Sequence, residues 1–219
     1  MIGYYNYTVI LTYLSLVLSS VGIAQILRGE PHHTLVAVIC LLISGICDMF
    51  DGAVAATRKR TEEEKLFGIQ IDSLCDLVSF GVFPAVMCMD LSRTASGAVS
   101  VQGVVAGTFL ILASVIRLAF FNVQETMRDR SEKRTYYLGL PVTLVSLFVP
   151  FGIVIHCLID YLADGFGWSI YMPVYVGVLA FLEVSRVHII KPYGWRKVVM
   201  IVFGAALFAG IVIFRSRMP

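Results

Sequence analysis

Charge is scarce in this chain. Asp, Glu, Lys and Arg make up 15% of its 219 residues, against 58% hydrophobic residues, and the mean hydropathy is +0.83. A soluble domain carries roughly a quarter charged residues, so a water-soluble globular class is excluded. No polar stretch between the apolar runs is long enough for a soluble domain, which leaves a single domain over 1–219. Internal repeats and low-complexity segments are missing as well. No Lys or Arg precedes the first apolar run, which argues for a retained helix rather than a cleaved signal. The cysteines Cys40, Cys47, Cys75, Cys88 and Cys157 have no metal-ligand spacing and read as small apolar packing residues.

What is present is a series of apolar runs about 20 residues long, the length that crosses a bilayer as a helix. Seven are expected, at 8–28, 34–57, 66–89, 100–123, 141–162, 169–187 and 197–214. The fold class expected is all-α, a polytopic transmembrane helical bundle. Lys and Arg set its orientation. Twelve of the 17 fall on one side: Arg58, Lys59, Arg60 and Lys65, then Arg128, Arg130, Lys133 and Arg134, then Arg186, Lys191, Arg196 and Lys197. That side is expected to be cytoplasmic and to hold the N-terminus. The far side has Arg28, Arg93, Arg215 and Arg217, the last two against the bias at the C-terminus. Arg117 lies within a span. Glu183 and Arg186 are spaced for a local ion pair, and His156 reads as a packed core residue.

The chemistry concentrates between Asp48 and Asp76, in the string DMFDGAVAATRKRTEEEKLFGIQIDSLCD. Acids inside membrane spans are costly and usually have a partner and a function. Asp48 and Asp51 are three apart, Asp72 and Asp76 four apart, so each pair occupies one helix face. At about 1.5 Å per residue, Asp51 and Asp72 lie about 9 Å inside the cytoplasmic end, Asp48 and Asp76 about 14–15 Å. Antiparallel helices then put Asp51 opposite Asp72 and Asp48 opposite Asp76. An all-oxygen donor set of this kind suits Mg²⁺, Mn²⁺ or Ca²⁺ better than zinc. Two such ions about 3.5–4 Å apart would clamp both oxygens of a phosphoryl transfer. Gly52 and Gly68 leave the helix surface bare beside the acids.

Asp48-x2-Asp51-Gly52-x2-Ala55 followed by Gly68-x3-Asp72-x3-Asp76 resembles the signature of the CDP-alcohol phosphotransferases, membrane enzymes of phospholipid synthesis. IDSLCDLVSFGVFPA at 71–85, IRLAFFN at 116–122 and YYLGLP at 136–141 resemble the branch that uses L-serine. The resemblance covers roughly the second to fifth spans. It implies transfer of a phosphatidyl group from CDP-diacylglycerol to the serine hydroxyl, with CMP released and the acyl chains among the apolar helices. It implies Asp48, Asp51, Asp72 and Asp76 as metal ligands for Mg²⁺ or Mn²⁺, with Asp76 also the base. It implies a nucleotide site at Gly52, Ala55, Arg58, Lys59 and Gly68, and serine or phosphate contacts from Arg117, Asn122 and Ser79. A homodimer among membrane lipids is expected, and no nucleic-acid partner.

One position departs from the pattern. The family motif continues Ala-Arg, whereas this chain has Ala55-Ala56. The stretch from Ala55 to Gly68 is also longer than the commonest spacing. Arg58, Lys59 and Arg60 follow closely and can supply cationic charge. Three alternatives stay open from sequence: the same chemistry on inositol, glycerol phosphate or choline, an inactive lipid-binding relative, and a divalent-cation transporter.

Overall fold

Helices form where the apolar runs stand. The structure is a computed structural model that describes residues 3–4, 7–127, 136–163, 167–190 and 195–218. Its helices are α1 (Ile10–Arg28), α2 (His33–Ala55), α3 (Glu62–Asp76), α4 (Phe83–Leu91), α5 (Val101–Met127), α6 (Val145–Leu162), α7 (Trp168–Val184) and α8 (Trp195–Phe214). A π-helical segment, Leu77–Val82, joins α3 to α4, so the two form one continuous apolar rod, Glu62–Leu91. Among the described residues, five helical segments are long and apolar enough to cross a membrane, and Trp168–Val184 and Val198–Phe214 are shorter apolar helices. The protein is an all-α integral membrane bundle.

Local chemistry explains the joints. α1 stops at Gly29, whose φ of 63° suits glycine and whose N–H reaches the carbonyls of Gln25 and Ile26. α3 starts at a capping box: the Thr61 hydroxyl accepts from the Glu64 N–H at 3.2 Å, and the Glu64 carboxylate accepts from the Thr61 N–H at 2.9 Å. The π segment precedes Pro84, which has no N–H to return to the preceding turn. The Phe83 N–H bonds instead to Val78, five residues back.

Membrane packing reverses the usual rule for α1. Its buried residues are Thr12, Ser15, Ser19, Gly22 and Ile26, a small and polar stripe that faces α2 while Ile10, Val17 and Leu27 face outward. Lipid solvates the apolar side, so small residues and hydroxyls form the contact. A Cβ at Gly22 would run into the Phe83 ring. α5 packs along α7, and His156, expected in the core, is buried and stacked on Trp168 at 3.9 Å between centroids.

Contacts among the connecting segments gather in two groups. In one, Tyr7 bonds Thr57 (2.9 Å), Tyr4 donates to Glu63 (2.6 Å), and Ser73 of α3 donates to Asn122 near the close of α5 (2.8 Å). A two-stranded antiparallel ladder caps it, with β1 (Tyr136–Leu138) against β2 (His188–Ile190) and Tyr136 opposite Ile190. In the other, His33 and Arg93 both hold Asp90, at 2.7 and 2.8 Å. Arg128, Arg130, Lys133, Arg134 and Lys191, and the side chains of Arg196 and Lys197, lie outside the described residues.

One expectation is corrected. Glu183 does not pair with Arg186; its Oε2 accepts from Ser114 at 2.9 Å, and the residue is 1% exposed. α7 ends at Val184 and Ser185 is extended, with φ −73° and ψ 160°. Arg186 therefore leaves the helical register that an i, i+3 pair requires.

Candidate active site

The π segment and the α3 cap bracket a helix that carries Asp72 and Asp76 on one face, and α2 presents Asp48 and Asp51 to them. One carboxylate oxygen from each of Asp48, Asp72 and Asp76 comes within 4.8 Å of the others. Asp76 is buried, and Asp48 and Asp72 are half-buried. Asp51 stands outside that trio. It meets Asp72 and the Gly52 backbone, and the Thr12 hydroxyl donates to its Oδ2 at 3.4 Å. Asp48 meets Asp76 and Thr143. The two levels of paired acids given by the spacing are both present, and the deeper pair also draws in Asp72.

Four carboxylates this close repel one another strongly in a low-dielectric surround. A divalent cation removes that repulsion, and the donors are all oxygen, as a hard cation prefers. The cluster can hold a metal ion.

Beside the acids a cavity of about 1070 Å³ opens between α2, α6 and α8. Asp48, Asp51, Gly52 and Thr143 line its polar end, while Ile39, Leu42, Leu147, Phe203 and Phe208 line the apolar remainder. A Cβ at Gly52 would meet nothing within 4 Å, so the helix backbone is open to a ligand there. The combination is an anionic patch on the wall of a mostly apolar cavity, suited to an amphiphile with a charged head.

The other expected residues fall into distinct places. Ala55 ends α2, and Arg58 and Lys59 are exposed just beyond it; Arg58 reaches Glu64 at 3.5 Å. Gly68 lies one turn before Asp72 on α3, under the guanidinium of Arg60. Asn122 accepts from Ser73, next to Asp72 in the chain. Ser79 is fully buried in the π segment and receives a hydrogen bond from Ser15 at 3.2 Å. Arg117 is 7% exposed, and its Nε and Nη2 donate to the carbonyls of Leu140 and Gly139 at 3.3 and 3.4 Å.

Three polar residues were not singled out from sequence. Thr12 holds Asp51, Thr143 meets Asp48, and Ser15 links Ser44 to Ser79 in a buried hydroxyl cluster below the acids. The available signal was spacing. Thr12, Ser15 and Ser19 recur on one face of α1, and Thr143 follows Pro141 by two residues.

The same chain region is matched by known proteins. A family model for CDP-alcohol phosphatidyltransferase covers residues 5–181. The chain is 38% identical over 119 residues to the CDP-diacylglycerol–serine O-phosphatidyltransferase of Saccharomyces cerevisiae, over 53% of this chain and 40% of that protein. It is 27% identical over 128 residues to the protein of the same name in Helicobacter pylori, over 58% and 50%. It is 33% identical over 112 residues to the archaetidylserine synthase of Methanothermobacter thermautotrophicus, over 50% and 45%. In each case the alignment spans half of the relative's own length or less. The family match spans most of the chain and contains all four acids, so the chain belongs to the CDP-alcohol phosphatidyltransferase family.

Proposed function

We propose that the protein transfers the phosphatidyl group of CDP-diacylglycerol to the hydroxyl of L-serine, giving phosphatidylserine and CMP. The observation that carries this reading is an acidic, metal-competent cluster that shares Asp48 with a large, mostly apolar cavity. Relatives named as serine phosphatidyltransferases support serine as the acceptor.

Asp48, Asp51, Asp72 and Asp76 would hold Mg²⁺ or Mn²⁺, one or two ions. The metal would neutralise phosphate charge and favour an in-line displacement. Gly52 leaves room for the diphosphate beside α2, and the cavity between α2, α6 and α8 takes the acyl chains away from it. Asp76 accepts the serine hydroxyl proton as the serine oxygen bonds to the phosphorus carrying the diacylglycerol. The bond from that phosphorus to the CMP oxygen breaks, and CMP departs with the electron pair. Asn122, joined to Ser73 beside Asp72, would bond the serine head group. The site opens to the cytoplasm in this reading, in line with the Lys and Arg bias, and the enzyme works as a homodimer.

Purified protein in nanodiscs, given CDP-diacylglycerol with serine, inositol, glycerol 3-phosphate or choline, should release CMP with serine alone. Release driven by another alcohol would replace serine as acceptor. No release with any of them would remove the transferase reading.

A further inference from the structure

Arg60 occupies a position that its neighbours do not share. It directly precedes Thr61, whose capping box fixes the entry of the chain into α3. From there its side chain runs back along the helix until Nη1 lies over Gly68, where an added Cβ would stand 3.2 Å from it. Gly68 and Asp72 are four residues apart on one face, so the seat of the guanidinium is one helical turn, about 6 Å along the axis, from Asp72. Arg60 is half-buried, whereas Arg58 and Lys59 are exposed.

The acids nearby are already engaged. Glu62 pairs with Lys65 at 2.7 Å, Glu63 accepts from Tyr4 at 2.6 Å, and Glu64 serves the cap and Arg58. Among the described residues, Arg60 forms no ion pair or hydrogen bond. A half-buried guanidinium with five unspent donors is matched to a planar or tetrahedral oxyanion. Its seat at Gly68 is one helical turn from Asp72, in a cluster that would itself hold cations, a setting that recruits a ligand with more than one anionic group.

We propose that Arg60 binds the diphosphate of the CDP-linked donor, supplying from the α2–α3 connection the cation that Ala56 cannot supply from the end of α2. The inference rests on the proposed reaction for its ligand, but its test does not depend on turnover. The long stretch between Ala55 and Gly68 brings a basic residue to the start of α3, and the bare surface of Gly68 gives its guanidinium a seat.

The probe is free CDP, titrated by calorimetry into purified protein in nanodiscs with Mn²⁺ present. Arg60→Gln should weaken CDP binding about tenfold or more, the scale expected for losing charge-assisted hydrogen bonds. Arg60→Lys should fall between, because it keeps charge without the fork. Arg60→Gln combined with Ala56→Arg should recover part of the loss. Equal CDP affinity in wild type and Arg60→Gln overturns the proposal and assigns Arg60 to the membrane surface alone, while leaving the reaction intact. CDP binding that depends on Arg60 in a protein that turns over no alcohol keeps Arg60 as a phosphate ligand and removes the transferase reading. A wild-type protein that binds no CDP overturns both.

Discussion

Arg117 Nε donates to the carbonyl oxygen of Leu140 across 3.3 Å, which ties α5 to the turn that leads into α6. The same turn is held from the other side, because the Gly139 N–H reaches Val187 and the Leu140 N–H reaches Leu182. Three residues past Leu140 stands Thr143, in contact with Asp48. A buried arginine on one helix thereby positions a hydroxyl at the acid cluster through the backbone between them. Lys at position 117 keeps the charge but cannot give two diverging donors to Gly139 and Leu140. Arg117→Lys should lower stability by about 1–3 kcal/mol, read as an earlier thermal transition in detergent. A wild-type transition together with a raised serine KM would move Arg117 from the turn to the substrate.

Gly139 has φ of 72°, and a Cβ there would collide with the carbonyls of Glu183 and Ser185. Both the backbone conformation and the space require glycine. Gly139→Ala should cost about 1–3 kcal/mol and reduce turnover together with stability. Thermal unfolding matching wild type would show that the turn relaxes without loss.

Removal of one charge from the proposed metal-binding cluster should act on binding and rate at once. Asp72 lies between both levels, meeting Asp51 and approaching Asp48 and Asp76. Asp72→Asn should lower CMP release by more than about a hundredfold, since even outer partners of metal ligands are worth 10–100-fold. Exhaustive chelation should do the same to wild type. Full turnover after chelation would take the metal out of the reaction.

Much of this site was legible from spacing. The i, i+3 and i, i+4 acids in two antiparallel apolar runs fix which carboxylates meet, because a helix has few geometric freedoms. Helix ends were close for the same reason: 34–57 became His33–Ala55 and 100–123 became Val101–Met127. The π segment was not legible, because it follows from Pro84 and a shift to i−5 bonding rather than from a 3.6-residue period. Glu183 turned to Ser114 rather than to Arg186 because the helix stopped two residues too early for the pair. The roles of Thr12 and Ser15 depend on which face α1 buries, and that face is chosen by its neighbours in lipid rather than by its own apolar pattern.

Asp76 is the most buried of the four acids and the proposed acceptor of the serine proton. Asp76→Asn should cut turnover by about 10²–10⁴ while CDP affinity changes far less. Calorimetry beside CMP release separates the two. A parallel fall in both would make Asp76 chiefly a metal ligand.

Thr143 provides the sharpest test of the contacts found only in three dimensions. Its side chain meets Asp48 at the polar end of the cavity, and it belongs to no acid pair. Thr143→Val keeps the volume and branching and deletes the hydroxyl, so the fold should persist. Asp48 would then lose a hydrogen-bonding partner that orients its carboxylate. The expected result is about a tenfold rise in the Mn²⁺ concentration needed for half-maximal CMP release. The thermal transition should stay near wild type. Unchanged metal dependence in the valine variant would mean that Asp76 and Asp72 alone orient Asp48, and that the turn held by Arg117 serves the fold without tuning the site.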